Sequence, residues 1–256
     1  MFGTLDSRLL LRRGAILAME TLLFLRSRPL RMSAAERTLV VSPHPDDESF
    51  GCGATISLFA TARVPVSIII LTDGGASHPL HPSVKPEELA IRRRNEAISA
   101  VTALGVREES VSFVDLKDGT LADMERTVGN ATVDSLSIRI AAISPTVVLV
   151  PCRGDGSTEH EAAFRLVLRA IRKAKLDARI LEYPVWSLWS PRLLLKPTLR
   201  SRRVWRVPIE SARGSKHAAI AAYTSQTRPI PPDETAALPV GFAEIFLGSH
   251  EFMFEH

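Results

Sequence analysis

The order of apolar and polar positions divides this chain into alternating strand and helix signals. Residues 38–42 form a short β-branched run that ends at Pro43. Residues 50–62 carry helical spacing. Residues 66–72 form an unbroken apolar run, the mark of a strand covered on both faces. Asp73-Gly74-Gly75 closes that run as a turn. A helix is predicted over 87–104, stopped by Gly105, then a strand over 111–116. Residues 124–143 read as mostly helix with a weak point at Gly129 and Asn130. A fourth strand at 146–150 is closed by Pro151, an amphipathic helix covers 161–175, and a fifth strand covers 178–183. Strands that alternate with helices imply a Rossmann-like, doubly wound α/β fold: a mostly parallel sheet with helices on both faces.

The rhythm breaks at both ends. Residues 184–210 hold all three tryptophans, and residues 192–206 are rich in Arg and Lys, so this stretch reads as an excursion over the sheet. Helix returns at 211–225, followed by a Pro-rich loop at 228–233 and an apolar segment around 242–254. At the other end, residues 14–25 are apolar, flanked by Arg12, Arg13 and Arg26, and interrupted by Glu20. That is too short and too interrupted for a membrane span. An amphipathic helix is expected, packed on its own domain or a sister subunit, or lying on a membrane surface. The division expected is a helical segment at 1–35 and one α/β domain at 36–256.

Composition narrows the class. With 256 residues, 45% hydrophobic and 23% charged, the chain has the balance of a globular protein with a sizeable core. A net charge of +4 names no partner, and no nucleic-acid-binding module is present. Cys52 and Cys152 are too few for a disulfide framework and read as buried thiols of a reducing compartment. A cytoplasmic protein is expected, with the membrane surface left open, as is a homo-oligomer.

The densest chemistry is Pro43-His44-Pro45-Asp46-Asp47-Glu48, directly after the first strand and before a helix. Ligands of open α/β sheets sit beyond the carboxyl ends of strands. An imidazole and three carboxylates there suit a divalent cation, with zinc favoured by mixed nitrogen and oxygen donors. The fourth strand ends in a second polar loop, residues 151–160, containing Arg153, Asp155, Ser157 and His160. In the strand order 3-2-1-4-5-6 the first and fourth strands are neighbours, so His44 and His160 would converge on one crevice.

These residues resemble the LmbE/PIG-L family of zinc-dependent N-acetylglucosaminyl deacetylases. Thr72-Asp73-Gly74, Arg93 and Glu96 ahead of Leu104-Gly105-Val106, the loop ending in His160, and Ser225-Gln226 in the late helix support the likeness, over about residues 38–227. The resemblance implies that His44, Asp47 and His160 hold zinc, or iron, and that Asp46 is the general base. It implies that Glu48 supports the loop, while Arg93, Arg153, Asp155 and Ser157 bind substrate or orient the groups around it. Removal of an N-acetyl group from an amino sugar follows, the sugar being carried on phosphate or lipid if Trp186, Trp189, Trp205 and the arginines of 192–206 face it. The alternatives are a sugar-binding protein of the same fold with weakened chemistry, and an amidase acting on an amino-sugar thiol conjugate. Two positions depart from the family pattern. Ser157 stands where a second histidine is usual, so His78, His81 and His217 become candidates for its work, and Tyr223 stands for a late-helix histidine.

Overall fold

A computed structural model describes residues 7–31, 33–127, 129–190, 192 and 202–256. Eight strands form one sheet in the order β1-β7-β8-β6-β5-β2-β3-β4. They are β1 (Ser27–Pro29), β2 (Thr38–Ser42), β3 (Val66–Thr72), β4 (Val111–Leu116), β5 (Val147–Pro151), β6 (Arg179–Tyr183), β7 (Val204–Pro208) and β8 (His250–Glu255). The run β4-β3-β2-β5-β6 is wholly parallel and is the order expected for the five strands read from the sequence. The strand β8 enters antiparallel between β6 and β7.

Alternation along the strands sorts the core into two layers. Val40, Ile68, Ile70 and Leu149 face one layer, against α2 (Asp47–Thr61), α3 (Pro86–Ala103) and α8 (Arg213–Ala222). Leu39, Val41, Ile69, Leu71, Val148 and Val150 face the other, against α5 (Gly129–Ile143) and α6 (Thr158–Lys173). The expected helix at 124–143 is two helices, α4 (Leu121–Thr127) and α5. Of residues 184–210, a short α7 (Trp186–Trp189) and β7 are ordered elements, and residues 193–201 lie outside the described residues. The last apolar segment divides into α10 (Phe242–Ile245) and β8, with α9 (Thr224–Thr227) preceding it.

Two features position the loops beyond the sheet. Helix α2 is broken at Cys52, where φ is −145°. The amides freed by the break, Ala54 and Thr55, donate to the Glu251 carboxylate at 2.7 and 2.8 Å. Lys216 completes the join, reaching Glu251 at 2.6 Å and the Phe50 carbonyl at 2.8 Å. At Gly51 an added Cβ would lie 2.1 Å from the Tyr183 ring, so only glycine lets α2 lie this close to β6. At the N-terminus, α1 (Ser7–Arg26) buries Ile16 and Leu23 against the domain. No helix among the described residues is long and apolar enough to cross a membrane.

Candidate active site

Strands β2 and β5 are neighbours, pairing Thr38 with Val147, Leu39 with Val148 and Val40 with Leu149. On one side the chain proceeds to β3 and β4, on the other to β6, so their carboxyl ends open at the topological switch. The loop after β2 is tied down from several sides. Thr72 donates to the Pro43 carbonyl from its amide and its hydroxyl, at 2.9 and 2.8 Å. Arg93 donates to the Pro45 carbonyl at 2.5 Å, the Gly74 carbonyl at 2.9 Å and the Asp46 carboxylate at 3.0 Å. Within this harness Asp46 takes φ 144°, ψ −30°, a conformation that non-glycine residues avoid. Strain of this kind persists only where the surroundings impose it.

The first helical turn starts earlier than the sequence pattern indicates, so Asp47 and Glu48 lie inside α2 rather than in the loop. Glu48 is fully buried. Its carboxylate accepts from Ser42 Oγ at 3.1 Å, the Asp46 amide at 3.2 Å, Ser49 Oγ at 2.7 Å and Tyr223 Oη at 2.5 Å. It therefore braces the loop from behind, and Tyr223 reaches it from the end of α8.

Helix α6 also starts early, at Thr158, because Ser157 caps it by accepting the His160 amide. His160 thus lies in the first turn and is fully buried. Its Nδ1 is 2.8 Å from Asp155, a buried carboxylate that also accepts the amides of Val185, Trp186 and Ser187. With Nδ1–H donated to Asp155, Nε2 is the nitrogen whose lone pair a metal could take on deprotonation. That nitrogen is 3.2 Å from Asp47 Oδ2 but makes no hydrogen bond with it in direction, and it is otherwise unpartnered. Asp47 Oδ2 is 3.0 Å from His44 Nδ1. One donor atom each from His44, Asp47 and His160 lies within 4.8 Å of the other two. A buried, unpartnered imidazole nitrogen beside a carboxylate and a second imidazole fits a transition-metal cation, with room for a fourth ligand.

The electrostatics match this geometry. Burial opposes charge on His160, but Asp47 and Asp155 outweigh it and hold its pKa at about 10. For His44 burial is outweighed by Asp118 and Asp47, and its pKa is about 9. Burial acts on Asp47 too, yet the two histidines pull its carboxyl well below the usual range. Asp46 differs: burial lifts its pKa to about 8, against the pull of Arg93. Adjacent carboxyls are thus driven apart, one toward a permanent anion and one toward a proton carrier.

Two carboxylates in the site were not among the residues expected from the sequence. Asp118 Oδ1 is 3.2 Å from His44 Nε2, and Glu159 Oε2 is 3.9 Å from it. Asp118 is positioned by Asp73, which accepts its amide at 3.1 Å. The Thr72-Asp73-Gly74 motif was the available signal, but Asp118 itself lies 45 residues beyond Asp73 with nothing in its local sequence to single it out.

A cavity of about 560 Å³ opens over these groups. Its polar end has His44, Asp46, Asp47, Asp118 and Ser157, and its other wall is aromatic. Trp186 and Trp189 pack on Phe242 with ring centroids 5.0 and 5.5 Å apart.

A family model described as PIG-L, GlcNAc-PI de-N-acetylase, matches residues 39–171. This chain belongs to the PIG-L family. Over 172 residues it is 30% identical to a 1D-myo-inositol 2-acetamido-2-deoxy-alpha-D-glucopyranoside deacetylase of Kineococcus radiotolerans, covering 57% of this chain and 48% of the relative. Over 155 residues it is 27% identical to a probable N-acetyl-alpha-D-glucosaminyl L-malate deacetylase 2 of Bacillus subtilis, covering 56% and 64%. The chain thus spans about half the length of the first relative and under two thirds of the second. Among solved structures, N,N'-diacetylchitobiose deacetylase from Pyrococcus horikoshii shares the fold, with a TM-score of 0.63, 18% identity, and coverage of 86% of this chain and 84% of that one.

Within the PIG-L pattern, several side chains fall elsewhere than their motif positions suggest. Arg153 points away from the cavity, its amide held by Glu182 at 2.9 Å and its guanidinium 5.7 Å from the Phe164 ring. Arg93 borders the cavity, but it is buried and its bonds go to the Asp46 loop, so it orients that loop. Asp155 is buried behind His160 and touches no cavity surface. None of the three histidines proposed to do the work of the missing second histidine reaches the cavity. His81 Nε2 is 3.0 Å from the Ile230 carbonyl, His78 lies in a neighbouring surface depression, and His217 is exposed on α8. Trp205 lies on β7 beneath Arg179, away from Trp186 and Trp189. Arg202 pairs with Glu182, Arg203 with Glu255, and Arg206 lies over Phe24. Those three arginines offer no phosphate site to the cavity, and Arg200 lies outside the described residues.

Proposed function

We propose that this protein is a metal-dependent N-deacetylase, releasing acetate and a free amine from an N-acetylglucosamine-type sugar carried on a larger conjugate. The observation that carries the reading is the meeting of His44, Asp47 and His160 with the strained Asp46, whose pKa burial raises, at one end of a cavity. His44, Asp47 and His160 would hold the metal, zinc by the preference of their donor atoms, with iron also compatible. Bound there, the metal would supply Lewis acidity, polarising the amide carbonyl and lowering the pKa of water.

The rest of the work falls to the chain. Asp46, fixed by Arg93 and raised toward neutrality, accepts the proton of the attacking water and carries it toward the departing amine. Asp155 and Glu48 keep His160 and the Asp46 loop in place. Asp118 and Ser157 border the polar end, where sugar hydroxyls need acceptors and donors. The Trp186 and Trp189 rings give the flat apolar surface on which a sugar face or an aglycone packs. Ser157 cannot act as a general acid at neutral pH, which leaves proton return to Asp46 and makes it carry both transfers.

The test is metal content and amine release in wild type, His160→Ala and Asp46→Asn, over a panel of N-acetylglucosamine conjugates. Expected are near-stoichiometric metal in wild type and Asp46→Asn, loss of metal in His160→Ala, and a fall in turnover of about 10²-fold or more in Asp46→Asn. Wild type that takes up no zinc or iron when offered either would overturn the reading. A metal-loaded protein that binds these sugars without turnover would favour the sugar-binding alternative, for which Ser157 is the supporting feature.

A further inference from the structure

The helix α1 is apolar on two faces, and the fold uses one of them. Ile16 and Leu23 are buried, 8% and 2% exposed, and Met19 packs with Leu23 against Val204, Phe252 and Phe254. At about 100° per residue the other face holds Leu17, Leu25 and Leu22, with Gly14, Ala18 and Thr21 between them. Leu17 is 64% exposed, Leu25 75% and Leu22 41%. The same spacing puts Arg13 at one edge of this stripe and Arg26 at the other, with Arg12, Arg28 and Arg31 also exposed nearby. The single acidic residue of the helix, Glu20, turns away from the stripe, its carboxylate lying over Gly248.

Beneath α1 runs a groove of about 350 Å³, with Ile16, Leu17, Val240 and Ile245 along it. Trp189 belongs to the wall of this groove and to the wall of the catalytic cavity, and the Arg12 guanidinium lies 4.0 Å above its ring. Val240, at the groove's outer lip, is 74% exposed.

We propose that α1 seats this protein on an anionic lipid surface, leucines toward the acyl chains and arginines at the headgroups. This does not depend on the deacetylase reading given above. An apolar stripe bounded by cations is the pattern of an interfacial helix, and each arginine near an anionic surface adds to binding. A second copy of the chain would cover the leucines too. A two-fold contact through this face, however, would bring the positively charged edges of the stripe, Arg13 among them, together across the interface, and the stripe itself carries no carboxylate.

Co-flotation with phosphatidylcholine vesicles, with and without phosphatidylglycerol, tests this on the full chain. Expected is binding to the anionic vesicles that weakens with salt, falls about tenfold or more in Leu22→Glu/Leu25→Glu, and is weak on neutral vesicles. Turnover of a water-soluble N-acetylglucosamine conjugate should be unchanged in that variant, which shows that it is folded. Protein that stays off both kinds of vesicle would overturn the proposal, as would equal binding to both. Dimers in wild type that the leucine substitutions dissolve, without vesicle binding, would assign the face to a second copy instead. Vesicle binding needs no catalysis, so its failure and a failure of the deacetylase reading are separate results.

Discussion

Asp155→Asn changes one atom, and the geometry around it predicts a large effect on metal affinity. The Asp155 carboxylate accepts five hydrogen bonds. Oδ1 takes the Val185 amide, the Ser187 amide and Ser187 Oγ, at 3.1, 2.9 and 2.5 Å. Oδ2 takes His160 Nδ1 at 2.8 Å and the Trp186 amide at 2.9 Å. The asparagine oxygen belongs where three donors meet, so its NH2 replaces Oδ2 and faces the imidazole. His160 can answer only by moving its proton: Nδ1 becomes the acceptor and Nε2 carries the hydrogen. Nε2 is the nitrogen beside Asp47, so the proposed ligand lone pair is lost unless the wrong tautomer is reversed. Loss of such a supporting contact typically lowers metal affinity about 10- to 100-fold, or ~1.4 to ~2.7 kcal/mol. The Trp186 amide is left facing a donor, which costs about 1–3 kcal/mol of folding stability. Zinc competition against a chromophoric chelator measures the first effect, and nitrogen-detected histidine NMR of the metal-free protein, at a pH above the His160 pKa of about 10 where the ring is neutral, reports the tautomer directly. Affinity within about twofold of wild type, with Nδ1 still protonated, would refute the assignment of Asp155 as the group that orients His160.

Two further predictions concern charge. With pKa values of about 9 and 10, His44 and His160 are both protonated at pH 7 when no metal is bound. Metal needs them neutral, so binding at pH 7 should release close to two protons, and affinity should climb with pH until these groups titrate. Calorimetry in buffers of different ionisation enthalpy counts those protons, and a count near zero at pH 7 would contradict the ion-paired site. The Lys216–Glu251 pair, 1% and 4% exposed, holds the break in α2. Lys216→Met strands a buried carboxylate and should cost about 3–5 kcal/mol in urea unfolding, with part recovered in Lys216→Met/Glu251→Gln. A single-variant loss under about 1 kcal/mol, or no recovery in the double variant, would mean the pair is reached by water.

What could be read from the sequence follows how local the physics is. The run 66–72 is apolar on both faces, so its burial, length and parallel neighbours follow from composition, and β3 is found at those residues. The order β4-β3-β2-β5-β6 is the common doubly wound one assumed from the strand–helix alternation, and it is what brings His44 and His160 to one crevice. The break in α2 had no such signal. It depends on Glu251, 197 residues from Ala54, and on Lys216, in a helix whose spacing gives no hint that a lysine is inside. The same holds for Asp118, which reaches His44 through the position of β4 and not through any motif of its own. Arg153 shows the converse error: it lies within a site loop, yet the β5–β6 pairing turns it toward Glu182. Motif spacing therefore identified the side chains that sit at strand ends, where connectivity alone sets position. It missed or misplaced those whose position depends on contacts distant in sequence. Asp46 depends on both: its place at the end of β2 is local, while its strained backbone and raised pKa come from Arg93, Glu48 and burial. The proton-carrying role proposed for it should therefore be the first property lost when those distant partners are changed, while the proposed metal-ligand set, closed by the local contacts of Asp47 and Asp155, should persist.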